Sequence, residues 1–117
     1  MRKKLSVMSR AKFLNKKQVI GEIARLAHKI RLQNNNIRKI VLFCSLVNDT
    51  YTALSDADLL VVLKESNQRI VDRIPEMLLA FIDSPVPVDV FPYLEDELEK
   101  VPLAQNALRN GLVLTEE

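Results

Sequence analysis

Residues 37–63 read IRKIVLFCSLVNDTYTALSDADLLVVL, and the reading of this stretch decides the fold. Ile37 to Phe43 is rich in β-branched residues and almost wholly apolar after Lys39, the pattern of a strand covered on both faces. Ala57 to Leu63 is a second apolar run of the same kind. Residues 44–55 between them are polar and irregular, which predicts a long loop. Two doubly covered strands need helices on both sides of a sheet, so the fold class is α/β or α+β.

The flanking sequence supplies those helices. Asn15 can cap a helix, with Gln18 three residues on in capping-box position. Val19, Ile20, Ile23, Leu26, Ala27 and Ile30 then repeat at helical spacing, and Asn34-Asn35-Asn36 ends the segment. On the other side, Ser66 or Asn67 can cap a helix through Ile70, Val71 and Ile74. Proline removes a donor from a helix interior, so Pro75 predicts two short helices meeting near Ile74-Pro75, the second carrying Met77, Leu78 and Phe81. Val86 to Phe91 reads as a third strand, with Pro87 placing its start there or at a sheet edge. Acidic residues Glu95 to Glu99 follow as an exposed cluster. Pro102 then suits a first helical turn, Gly111 a helix end, and Leu112 to Leu114 a short last strand. A small mixed sheet with helices packed on it is expected. Residues 1–14 form a basic arm ahead of a single domain over 15–117.

With 117 residues the chain is the size of one domain, and 48% apolar against 27% charged residues is enough to build a core. The apolar runs are too short to span a bilayer, and the basic N-terminus is followed by no apolar signal region. One cysteine, Cys44, rules out an internal disulfide, and with one histidine, His28, a zinc site of the usual kind has too few ligands. A cytoplasmic protein is the expectation. Net charge is only +2, yet residues 1–39 carry a local balance of +11 and residues 40–117 one of −9. That asymmetry suits a phosphate-bearing ligand or an acidic neighbour. Arg25, Lys29, Arg31, Arg38 and Lys39 could steer a nucleotide, although a solvated helix face explains them as well. Aromatic residues make up 5%, poor provision for stacking single-stranded nucleic acid.

The chemistry resides in three carboxylates. Asp56 and Asp58 sit two apart at the start of the second strand and so share a face. Asp89, in Val88-Asp89-Val90, stands in an apolar strand where an unpaired carboxylate is costly to bury. If the two strands are neighbours, the three acids converge on one point. Their mutual repulsion is relieved by a divalent hard cation, Mg²⁺ or Mn²⁺. A pair of such ions roughly 3.5–4 Å apart stabilises both oxygens of an in-line phosphoryl displacement. Upstream, Phe43-Cys44-Ser45-Leu46 places a small-residue turn after a strand, where backbone N–H groups and the Ser45 hydroxyl can hold a phosphate.

Phe43-Cys44-Ser45, ten residues, Asp56-Ala57-Asp58-Leu59 and then Asp89 together resemble the nucleotidyltransferase signature of the DNA polymerase beta superfamily. The size and layout resemble its minimal nucleotidyltransferases, or MNT domains, over residues 15–115, including Val88 to Tyr93. The resemblance implies that Ser45 and Cys44 line the nucleotide, that Asp56 and Asp58 bind the metals, and that Asp89 completes the site and favours deprotonation of an attacking hydroxyl. It implies transfer of a nucleoside monophosphate from an NTP such as ATP to a hydroxyl acceptor. It further implies a HEPN-domain protein as partner in a toxin–antitoxin pair; a homo-oligomer is a separate expectation. Two departures favour an alternative, a catalytically weakened relative acting by protein–protein contact. Cys44 stands where the family has glycine, and Leu46-Val47-Asn48-Asp49-Thr50 has neither a second glycine nor a basic residue.

Overall fold

A computed structural model describes residues 16–43 and 57–117. The expected basic arm at 1–14, the Asn15 cap, Cys44, Ser45 and Asp56 lie outside the described residues.

The first helix, α1 (Lys16–Gln33), buries Val19, Ile23, Ala27 and Ile30 along one stripe, with Ile20 and Leu26 partly covered beside it. Asn34 closes it through a bond from its N–H to the Arg31 carbonyl, and its Oδ1 accepts the Asn36 N–H at 3.0 Å. Asn36 does more than end the helix. Its side chain donates to the Glu65 carbonyl at 2.7 Å and accepts the Glu65 N–H at 3.0 Å, joining the turn before the first strand to the one after the second.

The sheet has four strands in the order β3-β2-β1-β4. Strands β1 (Ile37–Phe43) and β2 (Ala57–Leu63) are antiparallel and central, which is why both read as nearly unbroken apolar runs. The last strand, β4 (Leu112–Glu116), pairs antiparallel with β1, while β3 (Val88–Leu94) lies parallel to β2 and forms the other edge. The sheet is therefore mixed, as expected.

One face of the sheet carries Ile40, Leu42, Leu59, Val61 and Val90, packed with α1, with Met77 of the second helix, α2 (Ile70–Ala80), and with Phe81 just past its end. The opposite face carries Val41, Phe43, Leu60 and Val62 under Ala104 and Ala107 of the third helix, α3 (Pro102–Asn110). Pro102 opens α3 as expected. Gly111 follows it because there is no room for a side chain: a Cβ there would collide with the Ala107 carbonyl and stand 2.6 Å from Val41 Cγ1 and 2.8 Å from the Leu42 carbonyl.

Three expectations are corrected. Pro75 does not split α2; residues Ile70–Ala80 form one helix with the proline inside it. Pro75 and Val71, whose carbonyl loses its helical donor, are both exposed, so water can take that place. Neither Ser66 nor Asn67 caps this helix. Arg69 holds the cap position without a side-chain bond, and Ser66 Oγ accepts the Gln68 N–H instead. The third strand starts two residues later than expected and runs through Pro92. A proline fits there because β3 is an edge.

The acidic segment after β3 is a 3₁₀ helix (Glu95–Lys100), and Glu97 departs from the expected exposed cluster. Its carboxylate takes a two-pronged bond from the buried Arg73 of α2, Nη1 to Oε1 at 2.8 Å and Nη2 to Oε2 at 3.2 Å. Glu97 Oε1 also accepts the Leu94 N–H at 2.7 Å. The same guanidinium donates to the Gln68 carbonyl and, at 3.1 Å, to the Pro92 carbonyl. Proline thus removes a donor from the open edge of β3 and Arg73 covers an acceptor there, two ways of blunting a sheet edge. The Arg73 hydrogen bond, opposed by partial burial and helped by the Leu94 N–H, holds the Glu97 carboxyl below its ordinary range.

Candidate functional site

Strands β2 and β3 are adjacent, and their register sets Asp58 beside Asp89. In a parallel pair, register partners project from the same face, so the two carboxyl-bearing side chains share a side of the sheet. That is the face with Leu60, Val62, Phe91 and Tyr93, the one α3 covers further along. On the other flank of Asp58 stands Phe43, its antiparallel partner on β1. The sheet thus presents a row, Phe43–Asp58–Asp89, at the end where β2 and β3 begin. Asp56, Ser45 and Cys44 lie outside the described residues.

Burial corrects one step of the sequence argument. Asp89 is exposed and Asp58 half-buried, because each is the second residue of its strand rather than a residue of the strand's middle. The cost of burying a lone carboxylate therefore does not explain them. What remains is position: two acids brought side by side from segments 31 residues apart in sequence. Adjacent carboxylates directly across a strand pair repel, and that arrangement is disfavoured in a purely structural sheet.

Packing shapes the row. The Phe43 and Phe91 rings meet with centroids 5.7 Å apart and planes inclined at 52°, leaning toward each other from the two strands that flank β2. Phe91 follows Asp89 by two residues on the same face, opposite Leu60. The aromatic pair closes the apolar core immediately behind the acids, so the carboxyl row is the boundary between core and solvent. Sequence analysis missed this pair. Its signal was present in Asp89-Val90-Phe91, where alternation places an aromatic next to the acid on one face.

The other sequence candidates lie elsewhere. His28 is exposed on α1, and its Nδ1 shares a hydrogen bond with Thr115 Oγ1 at 3.0 Å, while the same hydroxyl oxygen accepts from Arg31 Nε at 2.7 Å. That network fixes α1 to β4. Arg38 and Lys39 begin β1 at the end of the sheet opposite Asp58, where Arg38 pairs with Glu95 and Glu117 and Lys39 with Glu116. They do not flank the acidic row. The open polar cleft lined by Asn35, Asn36, Lys64, Glu65, Ser66 and Asn67 is also at that far end. Among the described residues no cluster of three or more metal-ligating side chains occurs, and no helix is long and apolar enough to cross a membrane.

With this geometry in hand, comparison with known proteins is informative. A family model described as nucleotidyltransferase domain matches residues 24–113, which include both described acids and residues 44–56. A search of curated proteins gave no match. Among solved structures, the chain is similar to a Sulfolobus solfataricus protein described as a "putative nucleotidyltransferase", solved at 1.40 Å. The two superpose with a TM-score of 0.64 at 19% identity, over 87% of this chain and 84% of that one. At that identity the likeness speaks for the fold.

Proposed function

The chain belongs to the nucleotidyltransferase domain family, and from that premise we propose that it is a metal-dependent nucleotidyltransferase. In this reading it transfers a nucleoside monophosphate from an NTP to a hydroxyl acceptor, with pyrophosphate leaving. The observation that carries the reading is the registration of Asp58 beside Asp89 on adjacent parallel strands.

A hard divalent cation fits the donors present, which are carboxylate oxygens with no competing nitrogen or sulfur ligand at either position. Asp58 and Asp89, joined by Asp56, would hold Mg²⁺ or Mn²⁺. The metal supplies charge stabilisation to the phosphoryl oxygens of the nucleotide when bound. The chain's own groups do the rest. Asp56 and Asp58 would hold the cation against which the triphosphate's reactive end is positioned. Asp89, on the neighbouring strand, accepts or orients the proton of the attacking hydroxyl. Ser45 and the backbone beside Cys44 bind the leaving phosphates, and the Phe43–Phe91 pair keeps the base of the row dry. A HEPN-domain protein is the acceptor or partner that the family resemblance favours.

Cys44 supports a second reading, a relative with weakened nucleotide grip that acts through protein contact. A side chain in place of glycine restricts backbone approach to the phosphates.

The experiment is label transfer from an NTP labelled at the α-phosphate, in the presence of Mg²⁺ and candidate protein or RNA acceptors. Incorporation that disappears in Asp58→Asn is the expected result. A folded protein that neither binds NTP nor transfers label contradicts the enzymatic reading. Gain of NTP binding in Cys44→Gly would then establish the weakened one.

A further inference from the structure

Helix α3 ends beside the acidic row. It begins after the 3₁₀ helix, at the end of the sheet where β3 finishes, and runs over β1 toward the opposite end. Gly111, just past it, is so close to β1 that a Cβ there would stand 2.8 Å from the Leu42 carbonyl, and Leu112 is the register partner of Leu42. The next residue of β1 is Phe43, which opens the row Phe43–Asp58–Asp89. The face of the sheet that α3 covers is the face that bears those carboxylates. Asp58 is one strand from Phe43, about 5 Å away, and Asp89 two strands, about 10 Å.

One flank of α3 is turned toward the row. Ala104 and Ala107 are buried against the sheet. To one side of them, Gln105 donates from Nε2 to the Leu98 carbonyl of the 3₁₀ helix at 2.8 Å, and that 3₁₀ helix packs against β3 as well as α3. The Gln105 flank therefore faces β3. Residues four apart on a helix share a flank, so the residue one turn on from Gln105, toward the acids, is Arg109. Arg109 is exposed and enters no ion pair among the described residues, and α3 itself contains no acid to pair with it.

An NTP brings three phosphates to carboxylates that repel them. Residues 44–56, between β1 and β2, contain no Lys or Arg and add Asp49. The divalent cation offsets part of that charge, and the outgoing phosphates call for a further cation from elsewhere in the chain. Arg38, Lys39, Lys64 and Lys100 lie at the other end of the sheet, the first three in ion pairs with Glu117 or Glu116. Lys16 and Lys17 begin α1, on the opposite face. We propose that the Arg109 guanidinium binds the β- and γ-phosphates of the nucleotide, an inference that rests on the nucleotidyltransferase reading. When the bond between the α-phosphorus and its bridging oxygen breaks, that oxygen leaves with the electron pair as part of pyrophosphate, and Arg109 balances the charge developing there. The forked donors of a guanidinium match phosphate oxygens. A cation in a last helical turn also offsets the helix dipole. That role alone predicts slightly lower stability in Arg109→Gln with nucleotide affinity unchanged.

Isothermal titration calorimetry of the full chain with ATP, AMP and pyrophosphate, each with Mg²⁺, tests this. Arg109→Gln should weaken ATP and pyrophosphate binding by roughly tenfold or more, and AMP binding by less than about twofold, since AMP lacks both outgoing phosphates. Arg109→Lys keeps the charge without the fork and should fall between. Lys100→Gln removes the same charge from the far end of the sheet and should leave ATP affinity within about twofold. Full ATP affinity in Arg109→Gln overturns the proposal and leaves the nucleotidyltransferase reading standing. An equal loss for ATP and AMP, or a loss that follows the urea midpoint down in both Arg109 variants, assigns Arg109 to the fold and overturns it as well. A wild-type chain that binds no ATP overturns the proposal and the reading together.

Discussion

Arg73 of α2 and Glu97 of the 3₁₀ helix form a two-pronged ion pair whose cationic side is almost wholly buried and whose anionic side is about one-third exposed, with side-chain exposures of 6% and 37%. The asymmetry decides which partner is costlier to lose. Removing the carboxylate leaves a buried guanidinium with only the Gln68 and Pro92 carbonyls.

Glu97→Gln should therefore destabilise the fold by about 1–3 kcal/mol, read as a lower urea midpoint with an unchanged slope. Arg73→Ala should cost at least as much, because it also removes the packing of the aliphatic stem and uncovers the β3 edge.

Glu97 also sets a pH dependence. The Arg73 hydrogen bond holds its folded-state pKa below the unfolded value, so its contribution is present above the ordinary glutamate range and is lost as pH falls through the depressed value. Wild-type stability should decline as pH drops from about 5 toward 3. Glu97→Gln should show a shallower decline over that window. Glu117, held low chiefly by its hydrogen bond from Lys64, titrates in both proteins and cancels in the comparison.

Much of this fold was legible in the sequence, for reasons particular residues make clear. Ile37–Phe43 and Ala57–Leu63 were readable to the residue because central strands covered on both faces are almost unbroken apolar runs, polar only at Arg38, Lys39 and Asp58 near one end of each. Pro102 and Gly111 marked α3 because each performs a job few other residues can. Pro75 misled because the local rule prices a missing hydrogen bond without knowing that Val71 faces water. The extension of β3 through Pro92 was hidden because edge position is a property of the sheet and not of the segment. Of the candidate site, the acids were identifiable by type and spacing, while their pairing depended on β2 and β3 being parallel neighbours in one register. The Arg73–Glu97 pair spans 24 residues and two elements, and nothing local announced it.

Gly111→Ala tests close packing at the α3–β4 junction. The added methyl would overlap the Ala107 carbonyl and crowd Val41 and the Leu42 carbonyl, two of these three contacts being backbone that cannot yield cheaply. A loss of about 1–3 kcal/mol is expected by thermal or chemical denaturation.

Pro75→Ala should do the opposite. Restoring a donor to the Val71 carbonyl and relieving the ring's crowding of the preceding turn should raise stability by about 1 kcal/mol or more, read as a higher denaturation midpoint. An unchanged or lower midpoint would show that the proline is compensated elsewhere in α2.

The central claim is that Asp58 and Asp89 jointly hold a divalent cation that presents an NTP for transfer. Mn²⁺ titration followed by electron paramagnetic resonance, with ATP present, measures that occupancy directly. Binding by the wild-type chain, reduced roughly tenfold or more in both Asp58→Asn and Asp89→Asn with the fold intact, is the predicted result. Mn²⁺ uptake that both variants retain in full would contradict it.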